Sequence, residues 1–441
     1  ATAIYNMHTY WSKKPPTAIR QYIRHYTQPG NLILDPMCGS GTTALAALME
    51  GRSAIAIDLS PAATFIARHY CTPMDLDALD RAFALLEAEV APEMAWLYET
   101  RCDRCEGRAT TSYTVYSHLY RCPRCLEMVP LLDCVEVPRQ TGTGKTKKIK
   151  FCPHCLAGGH EEEISTRSER FEPVPVLVSY LCEEGCKPRR AERRHNDPDP
   201  KKRAFFERYD LGKLREIESR EVPYWYPPHR MMNVDSDTEP WGDKWRAGTS
   251  SFRTVAELFT KRNLWSLAMI LDAIRRLPDN KANGTLEFCF SSMCLFVSIM
   301  HQHNVGTGGN ITKGTYYVPP NFKDMHVWSS FGRKWRAIRK GIRALTAVTP
   351  STHLLVSTEN ACDLKGISDS SIDYIFTDPP YAGKMQYAEL NFIWEAWFGF
   401  DTSWHDEEIV VSRTRDKDDA YWTRTMRQAM SECYRVLKPG R

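Results

Sequence analysis

The stretch Asp373 to Gly383, DYIFTDPPYAG, decides how the chain is read. Ile375 and Phe376 suit a buried parallel strand, and Pro379 and Pro380 have no N–H to offer a sheet ladder, so the strand ends there. Its carboxyl end carries the Asp378 carboxylate, a stiff backbone with free carbonyls and the Tyr381 ring. Open α/β sheets bind ligands just outside the carboxyl ends of their strands. A flat, polar substrate is expected at this point.

Residues 31–70 show the same α/β alternation. NLIL reads as a strand, DPMCGSGTT as a turn, ALAALMEG as a helix, SAIAID as a second strand and PAATFIARHY as a helix opened by Pro61. Residues 76–98 read as helix with a kink or break at Pro92. Residues 100–190 are cysteine-paired and poor in long periodic segments, and 196–250 read as extended loop. Helical patterns return at 254–277, 286–303 and 331–347. THLLVS, the DPPY strand and helices near 386–398 and 419–437 close the chain. The two strand groups belong to one sheet type, so the middle is an insertion in a single α/β domain. Such a sheet needs further strands after KPGR, which implies truncation or completion by another segment.

A chain of 441 residues, 42% of them hydrophobic, has ample core for two or three units. It has no apolar run of membrane-spanning length and no apolar signal core at its start, so a soluble cytoplasmic protein is expected. Eight of the fifteen cysteines fall in close pairs, which favours metal in a reducing compartment over disulfides. The net charge of +4 is mild, but basic runs at 145–150, 187–195 and 201–203 concentrate in the middle.

In the turn after the first strand, Gly39 and Gly41 are expected to let backbone approach a ligand. G-S-G lacks the third glycine of a phosphate fingerprint and suits a nucleoside with an amino-acid tail, its ammonium on Asp35. Asp58, ending the second strand, can accept both ribose hydroxyls. GTGKTKK at 142–148 is not a P-loop, because Arg139 stands where the first glycine would be. It reads as a basic hairpin tip.

Cys102-x2-Cys105 and Cys122-x2-Cys125, sixteen residues apart, have the spacing of a four-cysteine zinc ribbon, and Cys152-x2-Cys155 with Cys182-x3-Cys186 suggests a second. Crossed pairing between the sets is the alternative. Four thiolates close the coordination shell, so two structural Zn2+ sites are expected. Cys134, His154 and His160 are spare ligands. Cys38, Cys71, Cys289, Cys294, Cys362 and Cys433 read as buried small residues, and His301 and His303 diverge on a helix.

DPMCGSGT, AIDLSP and TDPPY together resemble the amino-group DNA methyltransferases of the DPPY type that use S-adenosylmethionine. HTYWSKKPPTAIRQYI resembles the motif that precedes their glycine loop, and ENACDL their adenine-contacting segment. The cysteine pairs, TVAELFTKRNLWSLAMI and DPPYAGKMQYAELNFIWEAW are similar to the adenine-specific members containing a zinc ribbon. The resemblance implies a Rossmann-like α/β sheet interrupted by a large insertion. It divides the chain into a cofactor half (1–75), connecting helices (76–99), a zinc-ribbon insertion (100–195), an aromatic and helical region suited to target recognition (196–350) and a catalytic half (351–441). Tyr10, Asp35, Pro36, Cys38, Gly39, Gly41, Thr42, Asp58, Leu59 and Asp363 are the implied cofactor contacts, and Asp378, Pro379, Pro380 and Tyr381 the catalytic set. Double-stranded DNA is the implied partner; restriction or anti-phage system partners are admitted and no membrane is implied.

The adenine amine is a poor nucleophile because its lone pair is conjugated into the ring. Acceptors on Asp378 and the Pro379 carbonyl would favour a pyramidal nitrogen, held rigidly by the prolines, while Tyr381 stacks on the flipped base. Asp rather than Ser at position 378 leans toward adenine. Cytosine-N4 or RNA guanine-N2 transfer, and an inactive DNA-binding scaffold, are the alternatives. For DNA contact, Arg189, Arg190, Arg193 and Arg194 suit phosphates, and Trp225, Trp241 and Trp245 suit bases.

Overall fold

Pro16 in the first helical turn and apolar Ile19 and Ile23 one turn apart make α1 (Pro16–Tyr26), seen in a computed structural model. The structure describes residues 2–140, 144–165, 168–231, 252–278, 280–304, 309–312, 314, 316–346 and 353–441. β1 (Leu32–Asp35), α2 (Thr42–Met49), β2 (Ser53–Asp58) and α3 (Pro61–Cys71) follow as the alternation predicts. Ser60 caps α3 by accepting from the Ala63 amide. α4 (Leu76–Leu97) runs through Pro92 unbroken. Pro92 faces solvent, while the stripe Leu79, Ala82, Leu86, Val90, Met94 and Leu97 is buried on both sides of it, so packing carries the helix past the expected break.

The insertion is built on long strands rather than short ribbons. β3 (Glu99–Arg101), β4 (Arg108–Arg121), β5 (Met128–Pro130), β6 (Val135–Gln140), β7 (Thr146–Phe151), the short α5 (Pro153–Ala157), β8 (Arg170–Cys182) and β9 (Arg190–Arg194) form its frame. β6 and β7 make the expected hairpin, with residues 141–143 at its tip outside the described set. β4 and β8 pair antiparallel along most of their length, with Ala109 opposite Cys182. This geometry overturns the pairing suggested by cysteine spacing. The sixteen residues between Cys105 and Cys122 contain β4, whose fourteen residues span about 45 Å, so those two knuckles lie at opposite ends of one strand. β8 returns Cys182 and Cys186 to the first knuckle. The tetrads are Cys102, Cys105, Cys182 and Cys186, and Cys122, Cys125, Cys152 and Cys155.

The region expected as extended loop after residue 196 instead forms α6 (Pro200–Phe205), a π-helical turn over Phe206–Leu211 and α7 (Gly212–Glu218). Asp199 caps the first of these from its side chain. Trp241 and Trp245 lie outside the described residues, and Trp225 is half exposed with Arg275 over its ring. α8 (Lys261–Arg276), α9 (Asn280–Cys294), β10 (Asn321–Met325) and α10 (Val327–Thr346) follow. β10 joins β4, giving a sheet ordered β10-β4-β8-β9 with β3 and β5 also on β4.

Arg193 does not face solvent. Its guanidinium is fully buried, donating to Asp210 at 2.6 and 2.8 Å, to the Arg101 carbonyl at 2.7 Å and to Thr100 at 2.7 Å, with Asp103 at 3.4 Å. Asp103 belongs to the first cysteine knuckle, so Arg193 ties β9 and the π-helical turn to a metal-ligand loop. Breaking such a pair leaves buried carboxylates uncompensated, at a cost of about 3–5 kcal/mol. Arg193→Ala should lower stability by that amount in urea unfolding, while Arg190→Ala, at an exposed position, should change it by less than about 0.5 kcal/mol. Equal effects would contradict the structural role.

β11 (Leu354–Thr358) and β12 (Tyr374–Ile375) return to the first sheet, followed by α11 (Tyr387–Phe398) and α12 (Asp419–Val436). Strand order is β11-β2-β1-β12, all neighbours parallel. β12 is the edge of the described sheet, which is why Ile375 and Phe376 are half-buried rather than buried. The chain crosses from β1 to β2 on one side and places β12 on the other, so the strand order reverses between β1 and β12 while the strands stay parallel. Ligands bind in the crevice at such a switch point.

Candidate active site

All four strands deliver their carboxyl ends to one cavity. It has about 940 Å³ of empty space open to solvent, and is walled by Tyr10, Ser12, Lys13 and Lys14, Asp35 to Ser40, Thr42, Asp58, Leu59, Asn360, Asp378, Pro380 and Glu408. Asp35, at the end of β1, is buried and its carboxyl is pushed up to about 7, chiefly by burial. Its Oδ1 accepts from the Met37 amide at 3.2 Å, which folds the turn back on the strand. Asp58 ends β2 and braces the same turn, accepting from the Gly39 amide at 2.8 Å and the Ser60 amide at 3.0 Å. Burial raises its carboxyl to about 6, and the charges of Glu395 and Glu408 add to the rise.

The two glycines are required for a different reason from the one their spacing suggests. Gly41 precedes α2 with φ of +76°, and a Cβ there would lie 2.6 Å from that of Ala67 on α3. Gly39 has φ of +50°, and its Cβ would meet the Tyr10 ring at 3.0 Å. The small residues let the turn nest between α3 and the leading segment. Tyr10 is buried, its ring parallel to Tyr387 at 6.3 Å. Beneath them Asn391 donates to Ser60 Oγ at 2.9 Å, and Ser60 donates to Glu395 at 2.8 Å. Burial pushes Glu395 up to about 8. Cys38, Pro36, Leu59 and Thr42 wall the cavity, whereas Gly41 does not.

β12, the neighbour of β1, ends at Ile375, ahead of the prolines, and Asp378 in the segment that follows lines the same cavity. Its Oδ1 accepts from Tyr381 at 2.5 Å and its Oδ2 faces Lys14 at 3.1 Å. Lys14 also donates to the Tyr381 hydroxyl at 2.6 Å, closing a three-membered ring of contacts. The Pro380 carbonyl accepts from Ala382, while the Pro379 carbonyl accepts no hydrogen bond among the described residues. Asp363 lies outside the cavity, its carboxylate paired with Lys365 at 2.7 Å; the wall after β11 is made by Asn360 and Ala361 instead.

Lys14 and Glu408 were not singled out by sequence reasoning. Lys14 lies in the quoted leading motif, but nothing in its spacing ties it to Asp378. Glu408 holds the start of α11 by accepting from the Tyr387 amide at 2.7 Å, and pairs with Arg415. It sits in a loop with no pattern of its own. The cavity thus gathers Asp35, Asp58, Asp378 and Glu408 against Lys13 and Lys14 in its wall, an acidic excess that favours a positively charged ligand.

Residues 4–68 match a family described as DNA methylase. That span holds the leading segment, the glycine turn, Asp35 and Asp58. Over 48 residues the chain is 44% identical to the putative methylase YubD of Escherichia coli K12, covering 11% of this chain and 21% of that protein. Over 78 residues it is 30% identical to the type II methyltransferase M.MjaII of Methanocaldococcus jannaschii, covering 18% of this chain and 15% of that one. The matches therefore span about a fifth or less of these curated relatives. No solved structure matches the chain.

Both cysteine tetrads fit a metal. Within the first, Cys105 and Cys182 sulfurs are 3.6 Å apart and Cys102 and Cys186 4.0 Å; within the second, the corresponding distances are 3.6 Å for Cys122 with Cys155 and 3.7 Å for Cys125 with Cys152. Tetrahedral zinc with thiolate bonds of about 2.3 Å requires sulfurs about 3.8 Å apart. Disulfides would need about 2.05 Å. Cys134 is buried beside the second tetrad and takes no part in it.

Proposed function

We propose that the chain is a Rossmann-like, S-adenosylmethionine-dependent DNA methyltransferase acting on the exocyclic amine of a flipped base, adenine at N6. The observation that carries this is the convergence of the Asp35–Asp58 turn and the Asp378 rim, from opposite ends of the sequence, on one acidic cavity. The similarity of residues 4–68 to DNA methylases supports it. When bound, the cofactor supplies an electrophilic methyl group on a sulfonium.

The chain's own residues do the rest. Asp35 takes the ammonium and Asp58 the ribose hydroxyls, each keeping acceptor capacity beyond its backbone bonds. Asp378 and the Pro379 carbonyl accept from the base amine, which leaves the nitrogen lone pair free. Tyr381 is 37% exposed at the rim, where a base can stack on it. Lys14 orients Asp378 through its own contact and through the Tyr381 hydroxyl.

The test of the class is methylation of a mixed DNA and RNA pool with labelled cofactor, followed by nucleoside identification. N6-methyladenine in DNA is expected. N4-methylcytosine would keep the class and reverse the base, and label confined to RNA would overturn the reading.

Cofactor affinity should depend on pH through Asp35 and Asp58. Both carboxyls sit above their ordinary 3.8, at about 7 and about 6. The folded protein therefore holds protons that the unfolded chain has released, and the stability these groups contribute falls as pH rises through that window. Affinity runs the other way, because the ionised carboxylates are the better acceptors for an ammonium and for hydroxyls. Calorimetry should find binding strengthening from about pH 5 to about pH 8. Asp58→Ala should lose about 1–3 kcal/mol of binding and flatten the lower part of the profile. A pH-independent affinity would remove both carboxylates from the site.

A further inference from the structure

The basic runs that stand out in the sequence are neutralised in part by the fold. Lys148 and Lys150 pair with Glu136, Lys201 with Glu106 and Lys202 with Asp197. Arginines elsewhere also have acidic partners: Arg276 with Asp272, Arg220 with Glu216 and Arg435 with Glu432. α10 carries a row of cations with no such partners. Its sequence, VWSSFGRKWRAIRKGIRALT, contains no Asp or Glu. Arg333, Arg336, Lys340 and Arg343 are all exposed, and none pairs with a carboxylate among the described residues. Their steps of three, four and three residues place them on one helical face. Like charges at these steps oppose each other by about 0.2–0.5 kcal/mol per pair, and partial burial first, then the Arg336 charge, lower the pKa of Arg333. The opposite face, with Ile338, Ile342 and Leu345, is buried, so the ridge cannot turn inward.

The ridge is also aimed. The leading segment lies along α10: a Cβ on Gly341 would strike Met7 at 2.3 Å, and Thr9 and Trp11 share a cavity wall with Ala337 and Arg333. Moving from Met7 to Trp11 follows the ridge backward toward Arg333. Three residues further on, within about 11 Å of extended chain, Lys14 meets Asp378.

Resting on the methyltransferase reading above, we propose that Arg333, Arg336, Lys340 and Arg343 form a phosphate-binding ridge for duplex DNA, gripping the backbone that leads to the target base at Asp378. The four cations span about 15 Å of helix, enough to face about four successive phosphates of one strand at 3.4 Å of axial rise each. Duplex DNA is the occupant argued here because the ridge is purely cationic, carries no exposed aromatic ring among these four positions, and leads to a site that takes a base.

The test uses the full chain with Arg336, Lys340 and Arg343 replaced by alanine, beside a charge-conserving R336K/K340R/R343K control. Binding to a duplex is measured across a salt series, and thermal unfolding confirms that the surface changes leave the fold intact. Each lost phosphate contact removes about 0.9 from the slope of log affinity against log salt. The alanine variant should therefore bind more weakly with a slope flatter by about 2 to 3, and the control should keep the wild-type slope. An unchanged slope in the alanine variant, with wild-type protein binding DNA, overturns the ridge and leaves the methyltransferase reading standing. Wild-type protein that binds the cofactor but no DNA overturns both. A variant impaired only toward RNA overturns the ridge as a duplex surface.

Discussion

Asp378→Ala should bind S-adenosylmethionine within about twofold of wild type and lose methyl transfer by a factor of at least about 10²–10³, the scale of removing one preorganised polar group from a reacting centre. The expectation rests on where Asp378 sits. It lines the cavity just after β12, fixed by Tyr381 at 2.5 Å and Lys14 at 3.1 Å. Removing it takes away an acceptor for the base amine and leaves the cofactor end of the cavity as it was. Asp378→Asn keeps the shape but turns one acceptor into a donor, so it should be nearly as inactive. Lys14→Ala should act through Asp378 and lower kcat more than it raises KM for the cofactor, with partial rescue by Lys14→Arg. Single-turnover assays with labelled cofactor, run beside calorimetry, separate these outcomes. An Asp378→Ala enzyme with near-normal turnover would move the chemistry elsewhere. A variant that loses cofactor binding as well would make Asp378 a structural residue of the cavity.

The parts of this site that were legible in the sequence are those with local punctuation. β1, β2 and their helices announce themselves through apolar quartets, Pro61 and the turn glycines, and the acids at the strand ends follow from them. Asp378 was legible because two prolines cannot lie inside a ladder. What the sequence left open depends on long-range register. Arg193 sits in a run of basic residues that reads as solvated, yet the partners that bury it, Asp210 and Thr100, come from other elements. Asp363 was displaced by Asn360 and Ala361 because the chain turns immediately after β11, with the Cys362 amide donating to the Asn360 side chain at 2.9 Å. That Arg333, Arg336, Lys340 and Arg343 of α10 lack carboxylate partners among the described residues, while Arg339 pairs with Asp80, is likewise a property of what surrounds the helix. A run of lysines and arginines in sequence does not distinguish a neutralised surface from a charged one; only the positions of the carboxylates do.

Cysteine pairing shows the same dependence, and it yields a prediction with a stoichiometric readout. The protein should carry two zinc ions, one in each tetrad, and the C102S/C182S variant should carry one, because both substitutions fall in the same tetrad. C102S/C122S should carry none, since it takes a ligand from each. Had sequence spacing dictated the pairing, these two results would be exchanged. Elemental analysis of protein purified without chelator reads the difference directly. The energetic effect should be the largest of any change considered: apparent zinc binding to small four-ligand sites is worth about 10–16 kcal/mol at neutral pH, and each tetrad anchors only a small apolar cluster. Around the first lie Ala109, Val178, Tyr180 and Phe206, and around the second Tyr120, Val129, Leu131 and Ile164. Such clusters are too small to hold the ends of β4 and β8 together without the metal. The acidic cavity lies on the other sheet, with its own much larger core. Chelation should therefore melt the ends of the inserted sheet, seen as new protease sites near residues 102–105 and 122–125, before cofactor affinity falls. Simultaneous loss of both would mean that the inserted sheet and the cavity unfold as one unit.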